Sequence, residues 1–223
     1  MMKILLGLLL LSASCYAGKN TCSVDSVNFS EWIDLEKAEC YIDAISQTRM
    51  EIDASYTYLY IGAHFAQDVI NRPGIADFFF KAAKEEREHA TKLIEYLSMR
   101  GHLNNVEELI KKDSILEKDD NSRSLKIKGR SLNDALEIKL DSKSSAADAF
   151  IYALKLEEKV TKSIRALIKS CETNKNYYHI VDWLTGVYLE EQLHGKRELA
   201  GKWSQLIKMG PGALGEFLFD KTL

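Results

Sequence analysis

The sequence predicts an all-α fold: a four-helix bundle with one long crossover and a short fifth helix at the C-terminus. Three observations support this prediction. Apolar residues recur at three- and four-residue steps over four long stretches, which is typical of helices that bury one face. Two of the connections between these stretches are short, and the middle one is long. Only 2 Pro and 12 Gly occur in 223 residues, which excludes collagen-like and turn-dense all-β chains.

Residues 1–17 are predicted to be a secretory signal peptide. Lys3 precedes an apolar run, Ile4 to Leu11, that is too short to span a bilayer, and small residues lead to a cleavage site after Ala17. A membrane anchor is the alternative, but no second apolar run supports it. We therefore expect the protein in the secretory pathway and outside the cell, with no membrane contact after cleavage. The formal charge of −3 gives no reason to expect a nucleic-acid partner.

Residues 18–40 form an N-terminal extension, and three cysteines remain after cleavage: Cys22, Cys40 and Cys171. All three are disulfide candidates because the export route is oxidising. The odd number leaves one thiol free or paired between chains. One intrachain bridge with a leftover thiol and a bond between subunits remain equally open. Cys22, in the polar extension, is favoured for the interchain role. The extension also contains a glycosylation sequon at Asn28.

The main domain, residues 41–223, begins with two helices. The first is predicted from about Tyr41 to Val69, and the second from Pro73 to about Arg100, before Gly101. The turn between them contains Pro73, which suits a first helical turn. Because this connection is short, the two helices are expected to be antiparallel.

Residues 101–145 are polar, and we interpret them as a long exposed crossover with a mobile middle. A third helix is predicted from about Ala146 to Ser170, and a fourth from about Tyr178 to Leu206. Gly210-Pro211-Gly212 ends the fourth helix before a short apolar tail, Leu214 to Phe219, that is predicted to form the fifth. One long crossover between two helical hairpins is the arrangement of ferritin-like bundles, whereas hormone-type bundles need two.

Charged residues on the apolar stripes are the strongest functional signal. Glu51 lies on the inward face of the first helix, Glu86 and His89 on that of the second at i and i+3, and Glu157 on that of the third. A buried unpaired carboxylate is costly, so three of them with an imidazole predict a bound cation. Carboxylates with one imidazole suit iron or manganese. Glu191 and His194 also have Glu-x-x-His spacing, and we interpret that second match as a coincidence.

Several segments resemble ferritin heavy chains. They are Met50-Glu51-Ile52-Asp53-Ala54-Ser55-Tyr56-Thr57-Tyr58, Lys84-Glu85-Glu86-Arg87-Glu88-His89-Ala90, Leu156-Glu157, Tyr188-Leu189-Glu190-Glu191-Gln192 and the tail from Leu214 to Lys221. The resemblance extends from about Ile45 to the C-terminus except in the crossover. With the signal peptide and the cysteines, the chain looks most like the secreted heavy-chain ferritins of insect type.

The resemblance implies a diiron ferroxidase centre that oxidises two Fe(II) with O₂. Glu51 and His89 would bind the first iron, Glu86 would bridge the two irons, and Glu157 would bind the second. Gln192 would hydrogen-bond near the second iron. Tyr58 would hydrogen-bond to a ligand carboxylate, and Glu85 would help Fe(III) to leave toward the interior.

The resemblance also implies a homo- or hetero-oligomeric shell of 24 subunits that stores ferric mineral, with a ferritin light-chain homologue as the expected partner. Asp182 falls at a position that lines the three-fold channel, and Leu214 and Leu218 belong to the helix that lines the four-fold channel. Thr185 replaces the usual Glu one turn after Asp182, and the usual His near the end of the fifth helix is missing. Cation entry by the three-fold route is therefore in question.

Two other functions compete with this one. A structural shell subunit that does not oxidise iron would fit the fold but not the intact set of metal-ligand residues. A secreted four-helix ligand would explain the signal peptide and the helices, but not four inward-facing residues of metal-ligand type.

Overall fold

The computed structural model describes residues 39–100, 109, 116–118, 124–127, 136–140, 145–175, 177–210 and 212–223. Five helices and three short strands lie in these residues. Helix α1 is Glu39–Phe65, α2 is Pro73–Arg100, α3 is Ala146–Lys175 and α5 is Ala213–Asp220. Helix α4 has three consecutive segments: an α-helical segment Tyr178–Trp183, a π-helical turn Leu184–Tyr188 and an α-helical segment Leu189–Lys208. The predicted helical bundle with a short fifth helix is confirmed.

Helix α1 is shorter than predicted at its C-terminal end. It stops at Phe65 rather than Val69, because the following turn is closed by other hydrogen bonds. The amide of Asn71 donates to Gln67 O at 2.7 Å and that of Arg72 to Phe65 O at 3.0 Å, and Asn71 has a positive φ of 52°. This tight reversal turns the chain into α2, which Pro73 begins.

The crossover contains a small antiparallel sheet in the order β1–β2–β3, which was not predicted. The strands are β1 Leu116–Lys118, β2 Ser124–Ile127 and β3 Leu136–Lys139. Leu116 pairs with Ile127, and Leu125 pairs with Ile138. The sequence of β3 alternates apolar and charged residues, a period-two pattern that favours a strand. The remaining crossover residues lie outside the described part.

The bundle packs α1 against α2 and α3, and α4 against α3. Phe65, Phe79, Phe150 and Phe219, one from each of α1, α2, α3 and α5, form a buried aromatic cluster at one end. Ring centroids are 5.1 Å apart for Phe79 and Phe150 and 5.5 Å apart for Phe150 and Phe219. These contacts fasten α5 to the end of the bundle.

Two carboxylates of α5 complete this attachment. Asp220 Oδ1 accepts a hydrogen bond from the amide of Ile75 at 3.0 Å, in the first turn of α2. Glu216 accepts from the amide of Ala146 at 2.9 Å and pairs with Arg72 at 3.1 Å. Because helix N-termini carry unpaired amides and partial positive charge, α5 caps both α2 and α3.

A disulfide joins Cys40 at the start of α1 to Cys171 near the end of α3, and both residues are fully buried. The bridge closes a loop of 131 residues, which on chain-entropy grounds stabilises the fold by about 4–5 kcal/mol. The intrachain pairing that the sequence left open is therefore Cys40 with Cys171. Cys22 lies outside the described residues, as do the predicted signal peptide and Asn28, so its interchain role stays a prediction.

No described helix is both long enough and apolar enough to cross a membrane.

Candidate metal centre

The middle of the bundle contains carboxylates that ordinary core packing does not explain. Glu51 on α1, Glu86 on α2 and Glu157 on α3 are 0%, 5% and 5% exposed. One donor atom from each of Glu51, Glu86 and His89 lies within 4.8 Å of the others. These side chains meet because each lies at an inward-facing position of its helix. Glu86 and His89 are one turn apart on α2.

Among the described residues, three buried donor atoms of this group have no hydrogen-bond partner outside the group, within which Glu51 and Glu86 can share a proton. They are Glu51 Oε2, Glu86 Oε2 and His89 Nδ1. His89 Nδ1 is 3.6 Å from Glu86 Oε2, too long for a hydrogen bond but suited to two ligands of one ion. Buried polar atoms are otherwise nearly always paired. The unpaired atoms thus face a position that a cation would satisfy.

Burial raises the pKa of Glu51 well above its usual value, and the charge of Glu86 raises it further. Burial also raises the pKa of Glu86, with the charge of Glu157 adding to the effect. The physical cause is that the low-polarity interior and the neighbouring negative charges both disfavour ionised carboxylates. A bound divalent cation reverses this preference, since it pairs with the ionised forms.

Glu157 is held by two side chains from other helices. The hydroxyl of Tyr58 donates to its Oε1, and Gln192 Nε2 on α4 donates to its Oε2 at 2.7 Å. Burial and the charge of Glu157 keep the pKa of Tyr58 well above its usual value, so the phenol stays protonated and remains a donor. Glu157 is therefore oriented by α1 and α4, but it is not one of the residues whose donor atoms lie within 4.8 Å of one another.

Two further hydrogen bonds orient the side chains of Glu51 and Gln192. Gln47 Nε2 donates to Glu51 Oε1 at 2.6 Å, which leaves Glu51 Oε2 for a metal. The Thr161 hydroxyl lies 2.6 Å from Gln192 Oε1. Neither Gln47 nor Thr161 was a predicted site residue, and a motif search gives no signal for them, because their roles depend on packing between helices.

A cavity of about 660 Å³ leads from this group to the surface between α2 and α4. Glu85 lines this cavity and is exposed on α2. Partial desolvation raises the pKa of Glu85. Glu88 and Glu198 also line the cavity, so the passage between the buried group and the surface is rich in carboxylates.

Glu191 lies beside this site, although its Glu-x-x-His match does not form a second ligand pair there. Its Oε2 is 2.7 Å from His89 Nε2. His194, the other half of the motif, is exposed and pairs with Glu190 at 3.1 Å instead. Adjacent residues on α4 thus face different helices: Glu191 faces α2 and Gln192 faces α3. Stripe analysis missed Glu191 because it assigns one inward face to each helix.

The predicted channel residues lie apart from this group. Asp182, like Thr185 one turn later, is exposed on α4, and Leu214 and Leu218 are 71% and 49% exposed on α5. A channel between subunits needs neighbouring copies, so their roles stay predictions.

Comparison with known proteins gives consistent results along the whole chain. The family described as "Ferritin: Ferritin-like domain" matches residues 46–209. The chain is 48% identical to a ferritin heavy chain of Drosophila melanogaster, with all of both chains covered. It is 43% identical to a ferritin heavy chain of Trichoplusia ni, over 93% of this chain and 90% of the relative.

Among solved structures, the crystal structure of Trichoplusia ni secreted ferritin superimposes with a TM-score of 0.72 at 43% identity. The match covers 91% of this chain and 97% of that one.

Proposed function

The chain belongs to the ferritin family, and from that premise we propose that it is an iron-storage subunit that oxidises Fe(II) itself. The observation that carries the proposal is the set of unpaired buried donor atoms on Glu51, Glu86 and His89. Carboxylates with one imidazole suit iron and leave positions open for oxygen. A subunit that serves only as shell has no need for such a costly buried group.

Two Fe(II) ions are the substrates. Glu51 and His89 would hold the first, Glu86 would lie between the two, and Glu157 would hold the second with Gln192 beside it. Each Fe(II) gives up one electron, and O₂ accepts the pair together with two protons from water to become hydrogen peroxide. Anionic oxygen ligands stabilise Fe(III) more than Fe(II), so the same carboxylates that bind the substrate also favour its oxidation.

Product release follows the carboxylate-lined cavity. Glu85 lines this cavity, and it would take Fe(III) from the buried ligands toward the interior of the shell. There the ferric ions would deposit as a hydrated oxide. The shell would contain 24 subunits in total, with a light-chain homologue as the expected partner, and would be assembled in the secretory pathway. The buried disulfide is compatible with that oxidising route.

The test is aerobic Fe(II) oxidation by the purified assembled protein, compared with Glu86→Ala. We expect a fast phase that consumes about two iron ions per subunit and disappears in the variant, because the carboxylate between the two ions is gone. The shell of the variant should stay intact, since an unpaired buried carboxylate does not stabilise the bundle. An intact wild-type shell without a fast phase would instead identify a structural subunit.

A further inference from the structure

The ring of His89 is held from the side opposite the metal position. Glu191 Oε2 is 2.7 Å from His89 Nε2, while Nδ1, across the ring, is 3.6 Å from Glu86 Oε2 and has no hydrogen-bond partner among the described residues. A carboxylate beside Nε2 keeps a proton on that nitrogen. The lone pair of the neutral imidazole is then on Nδ1, where a metal can accept it.

Helix α4 holds the same residue at a second point. The hydroxyl of Tyr188 donates to the main-chain oxygen of His89 at 2.6 Å, and its ring lies 5.5 Å from the imidazole. Tyr188 precedes Glu191 by three residues, so both project from one side of α4. One residue of α4 therefore fixes the backbone of His89, and another fixes its ring.

Glu191 is itself fixed by α2. Its second oxygen, Oε1, pairs with Lys92 Nζ at 3.3 Å, and Lys92 follows His89 by three residues. Each oxygen of Glu191 thus has one partner on α2. The side chain of Glu191 is 42% exposed, which means that its replacement removes an orienting contact without opening the core.

We propose that Glu191 is a positioning residue: it fixes the tautomer and the ring orientation of His89 so that Nδ1 faces the first metal position. This inference rests on the proposed function, since it concerns the same metal centre. Carboxylates that accept from the distal nitrogen of a metal-binding histidine act in this way, and their removal weakens metal binding about 10- to 100-fold.

The test is calorimetric titration of the assembled, metal-free protein with Zn²⁺, which binds such ligands and undergoes no redox reaction. The zinc-binding site of interest is the one that is lost in the His89→Ala variant. We expect Glu191→Ala to weaken this site about 10- to 100-fold without changing its stoichiometry. Glu191→Gln, which keeps an acceptor oxygen but loses the charge, should weaken it less.

The chain provides a matched control one residue away. Glu190 makes the same type of pair with His194, at 3.1 Å, but both are exposed. Glu190→Ala should therefore leave the His89-dependent site unchanged. An equal loss of affinity in Glu190→Ala would mean that any charge removed from this surface weakens binding, and it would overturn the proposal.

Two other outcomes would also overturn it. Unchanged affinity in Glu191→Ala, beside normal iron oxidation by the wild type, would refute the positioning role alone and leave the proposed function standing. Loss of one bound ion per subunit in Glu191→Ala, with the His89-dependent site intact, would make Glu191 a ligand in its own right. If the wild type has no His89-dependent site, the metal centre of the proposed function fails together with this inference.

Discussion

Thr161 holds the side-chain amide of Gln192 in one orientation. Its hydroxyl lies 2.6 Å from Gln192 Oε1 and 2.7 Å from the main-chain oxygen of Glu157. With Oε1 at the hydroxyl, the amide nitrogen of Gln192 is turned toward Glu157 Oε2, to which it donates at 2.7 Å. The geometry of Glu157 thus depends on a hydroxyl that contacts no metal position. A residue with this role can be identified only from the packing of the helices, not from the sequence.

Thr161→Val keeps the shape of the side chain but removes the donor. Gln192 Oε1 is then buried without a partner, which costs about 1–3 kcal/mol. We expect a melting temperature lower by a few degrees and slower Fe(II) oxidation, because Glu157 loses its fixed orientation. Thr161→Ser retains the hydroxyl and is the matched control. Wild-type rates and melting temperature in Thr161→Val would contradict this role.

Asp53 is another buried carboxylate, and it has no role in the proposed reaction. It is 6% exposed, and its Oδ1 has no hydrogen-bond partner among the described residues. Burial raises its pKa from the usual 3.8 to about 8, although Lys159 and Arg49 oppose the shift. As pH rises from about 4 to about 8, the unfolded chain loses this proton and the folded chain keeps it. Asp53 therefore lowers the stability of the fold progressively across that range.

Asp53→Asn removes this titration and should stabilise the protein, more at pH 8 than at pH 5. Thermal unfolding of the assembled wild type and variant at the two pH values measures the effect. Wild-type stability should fall between pH 5 and pH 8 by more than that of the variant. Parallel pH profiles for the two proteins would show that Asp53 is ionised in the folded state.

At the scale of elements, the π-helical turn Leu184–Tyr188 determines which side chains α4 presents. A π turn contains one more residue than an α-helical path would, and one residue corresponds to about 100° of rotation. The π turn ends at Tyr188, and Glu191 and Gln192 follow it on α4. Their contacts with α2 and α3 therefore depend on the extra residue.

Deletion of Gly186 should convert the turn to α-helix and rotate one part of α4 relative to the other. We expect loss of the fast phase of iron oxidation, since Gln192 and Glu191 can no longer both reach their partners. Gly186→Ala keeps the length and is the control: a Cβ at this position meets no atom within 4 Å, and Ala favours a helix by about 1 kcal/mol relative to Gly. Normal oxidation by the deletion variant would show that the turn does not set the register.

The same turn shows what the sequence could and could not predict. The four long helices follow from apolar spacing, and the inward positions of Glu51, Glu86 and Glu157 follow from the same spacing. The π turn has no such signature, because no Pro or local motif marks it. Because the π turn was not predicted, the contact between Glu191 and His89 could not be predicted either. The end of α1 was misjudged because apolar residues continue past Phe65 into the turn.

The cysteine pairing stayed open and the small sheet was missed, for different reasons. Cys40 and Cys171 are 131 residues apart, and only the packing of α1 against α3 brings their Cα atoms to 4.7 Å. The strands of the crossover have only three or four residues each. Runs that short give little periodic signal in a polar segment.

At the scale of the whole molecule, a single subunit leaves apolar surface in contact with water. Ile42, Tyr56 and Leu59 are 62%, 44% and 42% exposed on one side of α1, and Leu214, Phe217 and Leu218 are exposed on α5. Clustered apolar side chains of this kind mark contacts between proteins. In the proposed shell, other copies of the subunit would cover both surfaces.

Leu59→Arg tests directly whether other subunits cover this side of α1. A buried unpaired guanidinium is costly, so the variant should fail to close the shell and should sediment as small species, whereas the wild type should exceed roughly 500 kDa. Because Leu59 is exposed in the subunit, the helical circular dichroism should not change. Leu59→Met keeps the apolar contact and should assemble normally. A full-sized shell built from Leu59→Arg would show that this side of α1 faces solvent, and the interface would then have to lie elsewhere on the bundle.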